Sequence, residues 1–124
     1  MKSPQLSRSD AFSCIPVRSP LVVETRLNTG EILLSYPETR TPWFANFLQK
    51  FMKESEQRRM RKLQLDILGT GVWELLDGTS TVIEIIDMFA SIHRLYPKEA
   101  EVSVALFLRE LGRRGIIGMK QPTE

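Results

Sequence analysis

The residues that could do covalent chemistry are few. Cys14 is the only cysteine and His93 the only histidine in 124 residues. Nucleophilic catalysis would need the imidazole beside the thiol, in an electropositive pocket that holds the thiolate. Cys14 lies in an irregular N-terminal stretch and His93 in a helix-like segment, so a spare thiol and a partly exposed helical histidine are the better reading. One Cys and one His cannot build a Cys/His zinc site, and no carboxylate cluster with metal spacing replaces it. Gly69-Thr70-Gly71 begins like a phosphate loop but lacks the third glycine and the Lys-Ser/Thr that would grip phosphate. It sits among Val72, Trp73, Leu75 and Leu76, which points to close helix packing. Glu74, Asp77, Glu84 and Asp87 fall on helix surfaces and a turn, where nothing splits their pKa values into an acid and a base. The chain is not expected to be an enzyme, and no cofactor or metal is expected.

The chemistry that the spacing does favour is recognition of a peptide. Such a site needs an unpaired strand edge for main-chain hydrogen bonds and an apolar groove with charges for selectivity. Lys62-Leu63-Gln64-Leu65 offers the edge. The segment from Pro97 to Arg114 offers the groove. At about 100° per residue, Val104, Phe107, Leu108 and Leu111 form one apolar stripe, the core face. Val102, Ala105 and Leu106 form a second stripe nearly opposite, bordered by Lys98, Arg109 and Arg113. A helix exposed on one side seldom has two such stripes. Cover from within the chain, a homodimer contact and a peptide site all remain open on the wheel alone. The basic rim favours an acidic peptide.

These residues need a scaffold, and the length suits one domain. A 42% hydrophobic fraction is enough for a core, and the formal charge is only +2 from 17 basic and 15 acidic side chains. A single cysteine allows no internal disulfide and fits a reducing compartment. No signal-like N-terminus and no apolar run long enough to span a bilayer are present, so a cytoplasmic protein is expected.

In chain order, residues 1–19 mix Ser, Pro, Arg and Asp and read for the most part as a flexible arm, within which the apolar content of Ala11 to Val17 allows docking on the domain. Leu21 to Leu27 and Ile32 to Tyr36 flank the turn Asn28-Thr29-Gly30-Glu31 and read as a β-hairpin. Thr41-Pro42 opens an amphipathic helix over 42–57, with Trp43, Phe44, Phe47, Leu48, Phe51 and Met52 on one face. Between Lys50 and Lys62, six basic residues against two acidic ones give a local charge of +4. The third strand follows. Asp66 should cap a helix from Ile67 to Leu76, and Thr81 with Glu84 should form a capping box for a helix to about Leu95. Pro97 starts the third helix, Gly115 ends it, and Ile116-Ile117-Gly118-Met119 reads as a strand or wing. The expected fold is α+β and winged-helix-like: an N-terminal hairpin and a third strand packed on three helices, with the amphipathic helix inserted between strands two and three. The expected division is an arm over 1–19, a domain over 20–119 with an insertion over 37–61, and a tail over 120–124.

The stretch Leu63-Gln64-Leu65-Asp66-Ile67-Leu68-Gly69-Thr70-Gly71-Val72-Trp73-Glu74-Leu75-Leu76-Asp77-Gly78, followed by Thr79-Ser80-Thr81-Val82-Ile83-Glu84-Ile85-Ile86, resembles the PqqD-like family. Phe107-Leu108-Arg109-Glu110-Leu111 and Gly115-Ile116-Ile117 resemble its closing helix and tail. The resemblance covers about Leu63 to Ile117. It implies a peptide chaperone, or recognition element, that presents a ribosomally made leader peptide to a radical SAM enzyme, as in synthesis of PQQ or other modified peptides. It implies that the leader adds as a strand at Lys62, Leu63, Gln64 and Leu65 and lies along Val102, Ala105, Leu106, Arg109 and Arg113.

Two other readings compete. A nucleic-acid-binding winged helix would use the basic Arg58-to-Lys62 patch, but Glu99 and Glu101 at the start of the third helix would repel phosphate. A dimeric scaffold would bury the second stripe against another copy. Nucleic acid and membrane are both disfavoured as partners.

Overall fold

The computed structural model describes residues 8–38 and 59–122. The helix expected over 42–57, the start of the arm and residues 123–124 lie outside them. Among the described residues the architecture is mixed α+β, with two small antiparallel sheets and four helices. In chain order these are α1 (Arg8–Phe12), β1 (Ile15–Arg18), β2 (Val23–Arg26), β3 (Ile32–Pro37), β4 (Met60–Gln64), α2 (Ile67–Glu74), α3 (Val82–His93), α4 (Pro97–Arg113) and β5 (Ile117–Lys120).

The hairpin forms as expected. In β3, Ile32, Leu34 and Tyr36 are buried, while Leu33, Ser35 and Pro37 between them are only half-buried. That is the period of a strand with one face on a core. The sheet order is β2-β3-β4. Trp73, Leu65, Phe89, Val104, Leu108 and Leu111 close the core from the helical side.

The helix ends follow local chemistry. Asp66 caps α2, accepting from the Gly69 N–H at 2.7 Å. Thr81 and Glu84 complete a reciprocal capping box on α3. Gly115, at φ 76°, ends α4. Its N–H donates to the Gly112 carbonyl and the Ile116 N–H to the Leu111 carbonyl, both bonds of a Schellman motif.

Two expectations are corrected. Part of the stretch expected as a flexible arm is regular structure: α1 and β1 fall within it, and β1 pairs antiparallel with β5 from Ile15↔Lys120 to Arg18↔Ile117. The tail after Gly115 is a strand, as expected, and lies with β1 in a separate two-stranded sheet. β4 begins at Met60, so Met60 and Arg61 of the basic patch are strand residues ahead of the expected start at Lys62. The arm was misread because its strand is stabilised by a partner about a hundred residues away, a distance over which local periodicity carries no information.

A cluster around Trp73 fastens β1 to the rest. The Arg18 guanidinium lies 4.3 Å from the Trp73 ring centroid and donates to the Trp73 carbonyl. Glu24 on β2 accepts from both Arg18 (3.1 Å) and the indole N–H (3.3 Å).

The Gly69-Thr70-Gly71 segment packs closely against its neighbours. A Cβ on Gly71 would lie 2.6 Å from His93 Nε2, and the His93 ring is set against Phe89, centroids 4.6 Å apart. Thr70 is buried and its hydroxyl accepts from the Ile32 N–H at 3.1 Å, joining α2 to β3.

Two outcomes follow from this packing. Gly71→Ala costs about 1–3 kcal/mol through overpacking, measured by urea unfolding. In a His93→Ala background the same change is neutral or gains up to about 1 kcal/mol from helix propensity; equal losses in both backgrounds would disprove the close-contact account. Asp77 accepts from the Thr79 and Ser80 N–H groups between α2 and α3, foremost the Thr79 one, which holds its pKa at about 2 against an ordinary 3.8. A depressed carboxylate stabilises fully above the unfolded value and loses that contribution as pH falls through about 2. The stability gap between the parent and Asp77→Ala should therefore shrink from about pH 4 to pH 2, in denaturant midpoints taken across that range.

Candidate functional site

Catalytic constellations do not assemble from the described residues. Cys14 is buried, its thiol directed at the Asp10 carbonyl, and its own carbonyl accepts from Val82 at the start of α3. His93 is the last residue of α3, about 16 Å further along the helix at 1.5 Å per residue. The four carboxylates are apart as well. Glu74 pairs with Arg26 at 2.5 Å, Asp77 caps a turn, Glu84 serves the capping box and Asp87 is exposed. No group of three or more His, Cys, Asp or Glu among the described residues could hold a metal ion, and no described helix is long and apolar enough to cross a membrane.

The strand edge is present. β4 pairs only with β3 within its sheet. The register runs from Leu33↔Gln64 to Pro37↔Met60. Its bonded pairs are anchored at one end by Leu65 N–H to Ile32 carbonyl (2.8 Å) and at the other by Glu38 N–H to Arg59 carbonyl (2.7 Å). Antiparallel ladders alternate, so Arg61, Leu63 and Leu65 face β3. Met60, Lys62 and Gln64 direct their backbone N–H and C=O groups to the other side, where no described strand meets them.

The side chains of this stretch divide the same way. Leu65 is buried and Leu63 half-buried, opposite Leu34 on the core face. Lys62 and Gln64 are exposed on the outer face, and Gln64 donates to Glu31 at 3.2 Å. Leu65 is thus a core residue, whatever else its backbone does.

On α4, Ala100, Val104, Leu108 and Leu111 are buried, and the expected core stripe holds. Val102 (46% exposed) and Leu106 (60% exposed) form the expected outer stripe. Of the six α4 residues of the expected groove, Lys98, Val102, Leu106, Arg109 and Arg113 are exposed and Ala105 is half-buried. Ala105 and Arg109 line a cavity of about 310 Å³ with Phe12 of α1 and Ile117 and Met119 of β5. Phe107, two residues or about 200° from Ala105, faces the other way. Its ring would lie 3.0 Å from a Cβ on Gly69, beside Leu65. Phe107, half-buried, is therefore the α4 residue set against Gly69 in the first turn of α2. It also packs against the core cluster, as its place on the expected core stripe requires.

Charges on α4 are mostly satisfied locally. Lys98 pairs with Glu101 at 3.4 Å and Arg113 with Glu110 at 3.0 Å. Arg114 donates to Glu110 at 2.7 Å and to the Tyr36 hydroxyl at 2.6 Å. The bond from Arg114, then the charges of Arg113 and Arg114, hold the Glu110 carboxyl below its ordinary range. The Tyr36 and Glu110 bonds raise Arg114 above its own. Arg109 has no hydrogen bond or ion pair among the described residues.

A family model described as coenzyme PQQ synthesis protein D (PqqD) matches residues 46–117, more than half of the chain. The chain belongs to the PqqD family. No curated protein and no solved structure matches it. The family span contains β4, α2, α3, α4 and the first residue of β5, and leaves out α1, β1, β2 and β3. The match begins at residue 46, inside the stretch 37–61.

The ladder geometry makes a direct prediction. Hydrogen exchange along β4 should alternate, with Arg61, Leu63 and Leu65 amides protected and Lys62 and Gln64 amides exchanging fast. Uniform protection in the free protein, read by NMR, would mean that the edge is already covered.

Proposed function

We propose that this chain is a peptide-binding adaptor. It holds a ribosomally made precursor through its leader and presents it to a radical SAM modifying enzyme, in the synthesis of PQQ or another modified peptide. The observation that carries this reading is the edge of β4, where the outward backbone groups of Met60, Lys62 and Gln64 meet no described strand, in a PqqD family chain. A leader peptide adds there as a further antiparallel or parallel strand and draws its affinity from main-chain hydrogen bonds. Leu63 and Phe107 supply apolar contact along the strand's inner side. In this reading the hairpin sheet and α2 to α4 make a winged-helix-like body that works in the cytoplasm. The protein supplies binding and orientation, and the partner enzyme supplies the chemistry.

The reading refines the expected site. Lys62, Leu63, Gln64 and the Leu65 backbone stay in it. Phe107 and its neighbours Ser103 and Glu110 replace Ala105 and Arg109, which face the other flank of α4. Lys98, Val102, Leu106 and Arg113 lie on the outward surface between the two. Nucleic acid fits less well, since Arg61 is paired with Glu38 at 2.7 Å and the first turn of α4 carries Glu99.

The test is titration of ¹⁵N-labelled protein with leader peptides of candidate precursors. Amide shifts should concentrate at Met60 to Leu65 and at Ser103 to Glu110. Lys62→Pro removes one outward N–H and leaves the β3 ladder intact, so it should weaken binding about tenfold with little change in thermal midpoint. Shifts elsewhere, with Lys62→Pro binding normally, would refute strand addition at this edge.

A further inference from the structure

The cavity between α1, α4 and β5 lies on the flank of α4 opposite Phe107. Phe12, Ala105, Leu108, Ile117 and Met119 make its walls apolar, and Arg109 borders it. Its volume of about 310 Å³ suits one large side chain. Among the basic residues of the outer α4 surface, Lys98 and Arg113 are neutralised by Glu101 and Glu110. Arg109 makes no hydrogen bond or ion pair among the described residues. An apolar cavity beside an uncommitted guanidinium is complementary to an apolar group that carries a carboxylate close by.

The apolar surface does not stop at the cavity. Val102 and Leu106 continue it outward along α4, and Met119 is 52% exposed at its mouth. A small amphiphilic carboxylate that filled the cavity would leave Val102 and Leu106 in water. An extended or helical peptide would cover all of them, and the flexible Met119 would adapt to its shape. Phe12 belongs to α1, outside the family span of 46–117. The cavity is therefore built in part by residues outside the matched span.

We infer that this cavity and the adjoining Val102–Leu106 stripe form a second docking site, which takes an acidic, apolar segment of a partner protein. One large apolar side chain enters the cavity, a carboxylate one or two residues away pairs with Arg109, and a second apolar side chain lies on Val102 and Leu106. Because α4 separates this site from the β4 edge, both can be occupied at once. The adaptor would then hold two polypeptides back to back across one helix. The inference goes beyond the leader reading and does not require it.

The test uses the full chain, ¹⁵N-labelled, with the probe peptide acetyl-Glu-Leu-Phe-Asp-Glu-Leu-amide and its counterpart carrying Gln and Asn in place of Glu and Asp. The acidic probe should shift the amides of Ala105, Arg109, Ile117 and Met119. The neutral counterpart, and the acidic probe on Arg109→Gln, should each bind about tenfold more weakly. Arg109 is exposed, so that variant should keep its thermal midpoint. Lys62→Pro should leave this binding unchanged, which separates failure here from failure of the leader site. The inference is overturned by silence of these four amides at millimolar probe, by equal binding of both peptides, or by a response to octanoate alone. It is equally overturned if sedimentation shows a dimer whose dissociation on dilution is what moves these amides.

Discussion

The indole of Trp73 holds the fold together. It is almost fully buried in α2, and its polar edge and π-face are both in use. Glu24 on β2 accepts its N–H, and the Arg18 guanidinium from β1 stacks on its ring and reaches its carbonyl. A buried indole needs such a partner, since an unbonded N–H would retain its desolvation cost. One side chain thus ties the helical body to two strands that the family match does not include. β1 in turn carries β5 by pairing, and β5 carries one wall of the cavity beside α4. The N-terminal elements outside the matched span thus depend on a residue within it.

Around that anchor, the molecule has two differently finished sides of one helix. On one flank of α4, Phe107 packs toward Leu65 and Gly69, and the neighbouring strand β4 has outward backbone groups. On the other flank, Ala105 and Leu108 meet α1 and β5 across an apolar cavity. The same helix therefore supports two surfaces of unlike chemistry: a backbone edge that is tolerant of sequence, and an apolar pit with one uncommitted cation that is selective for side chains. The local ion pairs on α4 sharpen this contrast, because they neutralise the charges that do not border the pit.

Much of this was legible in the residues. The capping signals at Asp66 and Thr81, the proline at the start of α4 and Gly115 at its end each act within a few residues, so they hold wherever the segment lies. The burial of Val104, Leu108 and Leu111 follows from helical period alone. The hairpin around Gly30 has the same local character. Gly71 was read as a packing glycine, although its actual neighbour, His93, lies on a different helix. The errors share a cause. The strand Ile15–Arg18 has no alternation of its own to announce it, and a helical wheel does not say that α1 and β5 meet the Ala105 flank of α4.

The sequence by itself determined the hairpin, the helices from Asp66 onward with their ends, the buried face of α4 and the family to which residues 46–117 belong, because these depend on period, capping and short motifs. Only the tertiary structure decided the pairing of β1 with β5, the strand edges that lack a described partner and which of the α4 cations borders the cavity. Those are properties of contacts between distant segments. A helical wheel gives the angle between Ala105 and Phe107 but not the neighbour at either angle, and that neighbour is what makes one a groove residue and the other a cavity wall.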